Sequence, residues 1–179
     1  AATVLVSVAA PTPVQAQARG LGARPATDTA YTLLIPDRVW TGEDSAPHAG
    51  WVVLVSGNRI EAVGPRSEVH TPAGAATVTL PGTTLIPGMI EAHTHVFLHP
   101  YNETVWNDQV LKEPLSLRTA RAINHLRATL MAGYTTARDL GTEGAGFADV
   151  GLRDAINQGI IPGPRFFVAT RAIVALGAY

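Results

Sequence analysis

Leu85-Ile86-Pro87-Gly88-Met89-Ile90-Glu91-Ala92-His93-Thr94-His95 is the stretch on which the reading of this chain turns. An apolar run broken by Pro87-Gly88 predicts a short buried strand that ends in two histidines one position apart. Alternate residues of a strand share a face, so His93 and His95 are expected to point the same way, roughly 6.6 Å apart along the chain. Imidazole is the commonest protein ligand for zinc and similar ions. Two imidazoles on one strand end can grip an ion from one side and leave the far side for other ligands and water. By the same parity Glu91 is expected on the side of the two histidines, in a supporting role.

Downstream of this stretch the texture is helical. Leu117, Ala120, Ile123, Leu126 and Leu130 recur at steps of three and four, with Arg118, Arg121 and His125 between them. This predicts an amphipathic helix with the arginines and His125 solvated and Gly133 as its terminator. Residues 134–137 read as a strand with Arg138-Asp139 at its C-terminal end, and residues 141–146 as a flexible loop. A second helix over 150–158, closed by Gly159, and a third strand over 165–170 complete an alternation that belongs to a parallel sheet covered by helices.

Upstream the pattern is all β. Residues 31–35 read as a strand halted by Pro36-Asp37, and Val39-Trp40 as a short resumption. Residues 51–55 and 59–63 flank Gly57-Asn58, a two-residue connection of the hairpin kind. Two further strands are expected over 76–80 and 84–86. Short strands at near-regular spacing, without a helical period, predict a small β-sandwich or open barrel over residues 29–86.

Composition narrows the functions open to the chain. Its 179 residues, 46% hydrophobic and 15% charged, suit a globular protein of one large or two small domains. The net charge is −1 and the basic residues are dispersed, which argues against a nucleic-acid or anionic-membrane footprint. With no cysteine there are no disulfides or thiolate ligands, so any metal is held by nitrogen and oxygen. Residues 1–10 are apolar but too short to span a bilayer. Ala16-Gln17-Ala18 resembles a signal-cleavage site, so residues 1–18 are expected to be part of a signal peptide that lacks its charged start, with 19–28 a linker. Export to the periplasm or the medium is the expectation, with the cytoplasm as the alternative.

A small β-domain running into an α/β region whose first strand ends in His-x-His resembles the amidohydrolase superfamily of metal-dependent barrel hydrolases. Asp37-Arg-Val-Trp40, Gly57-Asn58-Arg59-Ile60, Ala62-Val63-Gly64 and Pro81-Gly-Thr-Thr-Leu-Ile-Pro-Gly88 are similar to its N-terminal strands and lead-in. Residues 89–95 match its first barrel strand, with Glu91 where Asp is more usual, and Gly133-Tyr-Thr-Thr-Ala-Arg-Asp139 its second. Trp106-Asn-Asp-Gln109, residues 139–146, Gly163-Pro-Arg165 and Ala169-Thr-Arg-Ala172 look most like the branch that holds imidazolonepropionase-like enzymes and exported prolidase-like dipeptidases. The implied fold is a small N-terminal β-sandwich followed, over residues 87–179, by the first strands and helices of a TIM-type (β/α)8 barrel, incomplete in this chain.

The resemblance also implies chemistry. In the family the two histidines, here His93 and His95, bind the more buried of one or two divalent ions, most often zinc, at the C-terminal ends of the barrel strands. The ion yields hydroxide at neutral pH, and the hydroxide attacks an amide or dipeptide carbonyl. An Asp on the last strand passes the proton to the leaving nitrogen. The implied partner is a small-molecule amide or dipeptide, and the full-length enzyme could form a homo-oligomer.

The family's remaining ligands are a Lys or Glu on a middle strand, two further His and the last-strand Asp, and none can be placed here. Lys112 is the single lysine and lies in a polar stretch, and no His follows His125. A full barrel needs about 250 residues, while only about 90 follow Pro87. The catalytic residues are therefore unknown, and the expected function is that of the N-terminal part of a hydrolase acting on carbon–nitrogen bonds, inactive by itself. The rival is an exported, non-catalytic module that binds a metal or a partner. Of the other candidates, His99 could line the site mouth, although a loop His before Pro100 more often faces solvent. Asp139 could support the metal site from behind or simply pair with Arg or cap the backbone. His48 and His70 carry no signal.

Overall fold

A computed structural model of the chain describes residues 30–176. The expected signal peptide and linker, residues 1–28, lie outside the described residues. The chain divides into two compact units, one running to Leu85 and the other starting at Ile86.

The first unit holds β1 (Tyr31–Val39), β2 (His48–Ala49), β3 (Trp51–Ser56), β4 (Arg59–Pro65) and β5 (Ala76–Leu85). The hairpin forms as the sequence indicates, with β3 and β4 antiparallel across Gly57-Asn58. A sandwich is expected, but these strands make one five-stranded sheet. β3 lies antiparallel to β1, and β5 returns parallel along the other side of β1. The last strand thus extends the ladder instead of stacking over it as a second layer. Leu33, Val52 and Leu54 are buried, with Tyr31, Ile35, Ala62 and Val69 packed against them.

Two breaks expected from proline do not occur. β1 runs through Pro36, and β5 runs through Pro81-Gly82 as one strand. The reason is a matched irregularity in their pairing. Pro36 sits opposite Leu80, whereas Arg38 sits opposite Thr84. Proline is tolerated where a ladder is bulged, because its missing N–H is not called on there. The Asp37 carboxylate closes the gap by accepting the Gly82 N–H at 3.0 Å.

The second unit holds β6 (Met89–Thr94), α1 (Trp106–Leu111), α2 (Leu115–Met131), β7 (Tyr134–Asp139), α3 (Ala148–Asn157) and β8 (Arg165–Val168). The three strands form a parallel sheet in the order β6-β7-β8. Its core is Val96, Phe97, Ala122, Leu126, Ala137, Ala145, Leu152 and Phe166, drawn from strands, helices and the loop after β6. Alternate residues Ala137 and Asp139 of β7 are buried while Arg138 between them is exposed, so the helices cover one face of the sheet. Ile90 and Phe167 are 68% and 60% exposed.

The stripe that α2 buries differs from the expected one. Arg118, Ala122 and Leu126 are buried at successive i, i+4 steps, while Leu117 is exposed. An arginine heads this stripe because its head group finds main-chain acceptors inside, as described below. Gly133, at φ 96°, ends the helix as expected.

Candidate metal centre

The lead-in to β6 is fixed by a close approach. A Cβ on Gly88 would lie 2.8 Å from the Thr135 Cβ and nearer still to the rest of that side chain, so only glycine fits. Met89 then pairs with Tyr134, Ile90 with Thr136, Glu91 with Ala137 and Thr94 with Asp139. Three residues of β6 therefore span two of β7 between Glu91 and Thr94, which is a bulge. Glu91 and Thr94 thus pair with Ala137 and Asp139 across the bulge, and Glu91, His93 and Thr94 line one cavity beside Ala128 and Thr129 of α2. The Glu91 carboxylate serves the strand itself, accepting the His93 N–H at 3.0 Å.

The two imidazoles converge. Their Nε2 atoms are 3.3 Å apart and their rings meet edge to face at 67°. The His95 Nδ1 lies 2.9 Å from the Gly141 carbonyl oxygen. A carbonyl only accepts, so Nδ1 carries the proton and Nε2 presents a lone pair, the form in which histidine ligates metal. Two nitrogens at zinc-bond distances on a tetrahedral ion stand about 3.3 Å from each other. The pair thus has the separation of two ligands on one ion, and its donor chemistry fits zinc or a similar divalent cation. Among the described residues no group of three or more His, Asp or Glu side chains is gathered as a metal site.

Behind His95 lies the loop after β7, which was expected to be flexible. It is instead tied down at several points. Asp139, fully buried, accepts the Gly141 N–H at 3.0 Å, so it caps the backbone just ahead of the carbonyl that His95 uses. Burial pushes its carboxyl up to about 6, opposed by the Gly141 N–H. Among the described residues its Oδ2 has no hydrogen-bond partner. The Glu143 Oε1 stands 3.6 Å from the His95 Nδ1, and its Oε2 accepts the Trp106 indole N–H at 3.1 Å. Gly144 allows the loop to lie on α1, since a Cβ there would be 2.8 Å from a Val110 methyl.

Arg118 ties the loops after β6 and β7 together. It donates to the carbonyl oxygens of Phe97 at 3.1 Å, Thr142 at 3.2 Å and Glu143 at 2.7 Å. Burial lowers its proton affinity, an effect opposed by the charges of Glu113 and Glu143. The sequence expectation of a solvated Arg118 fails because these carbonyls replace the water it gives up.

The other histidines also depart from expectation. His99 does not face solvent. Its side chain is 3% exposed, with Nδ1 3.0 Å from Glu103 and Nε2 3.1 Å from Glu113. Arg121 bonds both His99 and Glu113, and holds the Glu113 carboxyl below the usual carboxylate range. His125 is not simply solvated either, because its Nδ1 donates to the Val96 carbonyl at 2.9 Å. These two rings, with His95 and Tyr101, line a cavity of about 340 Å³. Lys112 pairs with Asp108 at 2.7 Å on the surface and takes no part in the site.

Glu143, Gly141 and Arg118 were missed as site residues. The available signal was an acidic residue inside a glycine-rich loop at a strand's C-terminal end. Nothing in the sequence says that Arg118 turns inward.

Comparison with known proteins finds one family and several solved structures similar to this chain. The sequence model of the amidohydrolase family matches residues 84–174. A solved amidohydrolase is 27% identical, with a TM-score of 0.66 over 80% of this chain and 32% of that one. A prolidase solved in complex with N-methylphosphonate-L-proline is 31% identical, with a TM-score of 0.64 over 80% of this chain and 32% of its own. A Xaa-Pro dipeptidase with methionine bound in its active site shares the fold at 24% identity and a TM-score of 0.68, over 80% and 34%. The chain therefore spans about a third of the length of these structures. A comparison with curated proteins gives no match.

Proposed function

The chain belongs to the amidohydrolase family, and from that membership we propose that it supplies the first metal ligands and the N-terminal β-region of a metal-dependent hydrolase of small amides or dipeptides. The observation that carries this reading is the 3.3 Å separation of the His93 and His95 Nε2 atoms, with the His95 proton held on the opposite nitrogen by Gly141. The 31% identity to a prolidase supports a dipeptide with proline on the C-terminal side as the substrate class. The leader-like Ala16-Gln17-Ala18 supports export.

His93 and His95 hold the ion in this reading. When bound, a divalent ion lowers the pKa of water and polarises the scissile carbonyl. The chain's own residues prepare that place. The end of β6 brings the two Nε2 atoms together, Glu91 bonds the His93 N–H, and Gly141 fixes the His95 tautomer. Two imidazoles fill half of a tetrahedral shell. The remaining ligands and the proton shuttle are proposed to come from residues outside this chain.

Two measurements test the proposal. Zinc titrated into the 179-residue chain is expected to bind, with binding lost in His93→Ala and His95→Ala. Incubated with proline-containing dipeptides, the metal-loaded chain is expected to release no proline. Turnover above buffer by a purified monomer of this length, or zinc binding untouched by both substitutions, would overturn it.

A further inference from the structure

Glu143 is held in place from several directions. Its backbone sits at φ 50°, a left-handed conformation that a non-glycine residue adopts at a cost. The carbonyl oxygen accepts the buried Arg118 guanidinium at 2.7 Å. One carboxylate oxygen accepts the Trp106 indole N–H at 3.1 Å. What these restraints leave pointing free is the other oxygen, Oε1, and it stands 3.6 Å from the protonated nitrogen of His95.

We infer that Glu143 is a positioning residue for His95, its carboxylate acting with the Gly141 carbonyl to keep the imidazole proton on Nδ1 and the lone pair on Nε2. The Gly141 oxygen makes the hydrogen bond and sets the ring plane. The Glu143 charge adds what a carbonyl cannot: it stabilises the partial positive charge on Nδ1–H and makes Nε2 a better electron donor. Carboxylates behind ligating histidines act in this way, and their removal weakens metal affinity by about 10- to 100-fold. Trp106 fixes the carboxylate and Arg118 the backbone that carries it, so that the orientation is built in before any ion arrives.

The consequence for metal affinity rests on the function proposed above, whereas the effect on the tautomer does not. The test therefore reads both. In the chain labelled with 15N-histidine and free of metal, long-range proton–nitrogen spectra are expected to show His95 in the Nδ1–H form. Glu143→Gln keeps an acceptor for Trp106 but removes the charge. It is expected to shift His95 toward a mixture of tautomers and to weaken zinc binding about 10-fold, measured by competition with a chromophoric chelator. Trp106→Phe keeps the charge but releases it, and is expected to show a smaller change in the same direction. It also keeps the inference testable if Glu143→Gln fails to fold. Unchanged tautomer and zinc affinity in the folded variants would overturn the inference and leave the metal reading standing. A wild-type chain that shows the Nδ1–H form but binds no zinc would overturn the metal reading. In that case loss of the tautomer preference in Glu143→Gln still upholds the inference.

Discussion

The Nδ1 of His95 donates to the carbonyl oxygen of Gly141 across 2.9 Å, joining the C-terminal ends of two neighbouring parallel strands. Because the bond consumes the proton of one ring nitrogen, it leaves the other as a ligand. The histidine pair is therefore only as well placed as the loop that carries Gly141.

That loop depends on Arg118. Replacing it with Ala takes the guanidinium donor from the carbonyls of Phe97 and Glu143 and leaves that of Thr142 with the Ala145 N–H alone. Arg118→Ala is expected to destabilise the chain by about 3–5 kcal/mol. Urea denaturation measures this directly, and a change below 1 kcal/mol would show that water substitutes for the guanidinium.

The carboxyl of Asp139 carries a pH signature. Its pKa rises from 3.8 in the unfolded reference to about 6 in the fold, chiefly through burial. Between those values the folded state binds more protons than the unfolded one, so this group lowers stability as pH rises from about 4 to 6, with no further loss above that. Asp149 adds to the rise and His95 opposes it. In the metal-free chain, the stability of Asp139→Asn relative to wild type is expected to improve by about 2 kcal/mol between pH 4 and pH 7.5. Thermal melts at the two pH values decide it: a difference independent of pH would mean that Asp139 titrates normally.

At the lead-in to β6, Gly88→Ala forces a Cβ into the Thr135 side chain. A cost of about 1–3 kcal/mol is expected. The second substitution Thr135→Gly should recover most of it, because the clash is with that side chain and not with the backbone. The double-mutant cycle reads this coupling. Additive effects would place the strain elsewhere.

Removal of Glu91 tests its part beside the histidine pair. Its carboxylate bonds the His93 N–H and does not stand among the ligating nitrogens. Glu91→Gln, which retains an acceptor, is expected to bind zinc within about threefold of wild type, since a backbone cap alters ligand placement less than loss of a ligand does. A loss comparable to that in His93→Ala would put Glu91 in the coordination shell.

Local pattern was enough for the change from an all-β to an α/β order, the hairpin at Gly57-Asn58, the helix that ends at Gly133 and the histidine pair at a strand end, but not for β2 or α1. These follow from periodicity, turn chemistry and residue type, all of which act over a few neighbouring positions. The family resemblance was legible for a related reason, being carried by short motifs at those same strand ends.

What the sequence by itself determined is thus where the longer helices and most of the strands run, and that His93 and His95 stand one residue apart at the end of a strand. Tertiary structure decided the rest. A bulge in β6 put three of its residues against two of β7 between Glu91 and Thr94, because the ladder does not stay in register there. A parallel return of β5 made one sheet where two layers were expected. Arg118 turned inward and His99 was buried, because acceptors distant along the chain were brought within reach. Pairing register and the supply of partners for a buried polar group are properties of the assembled fold, and no window of neighbouring residues contains them.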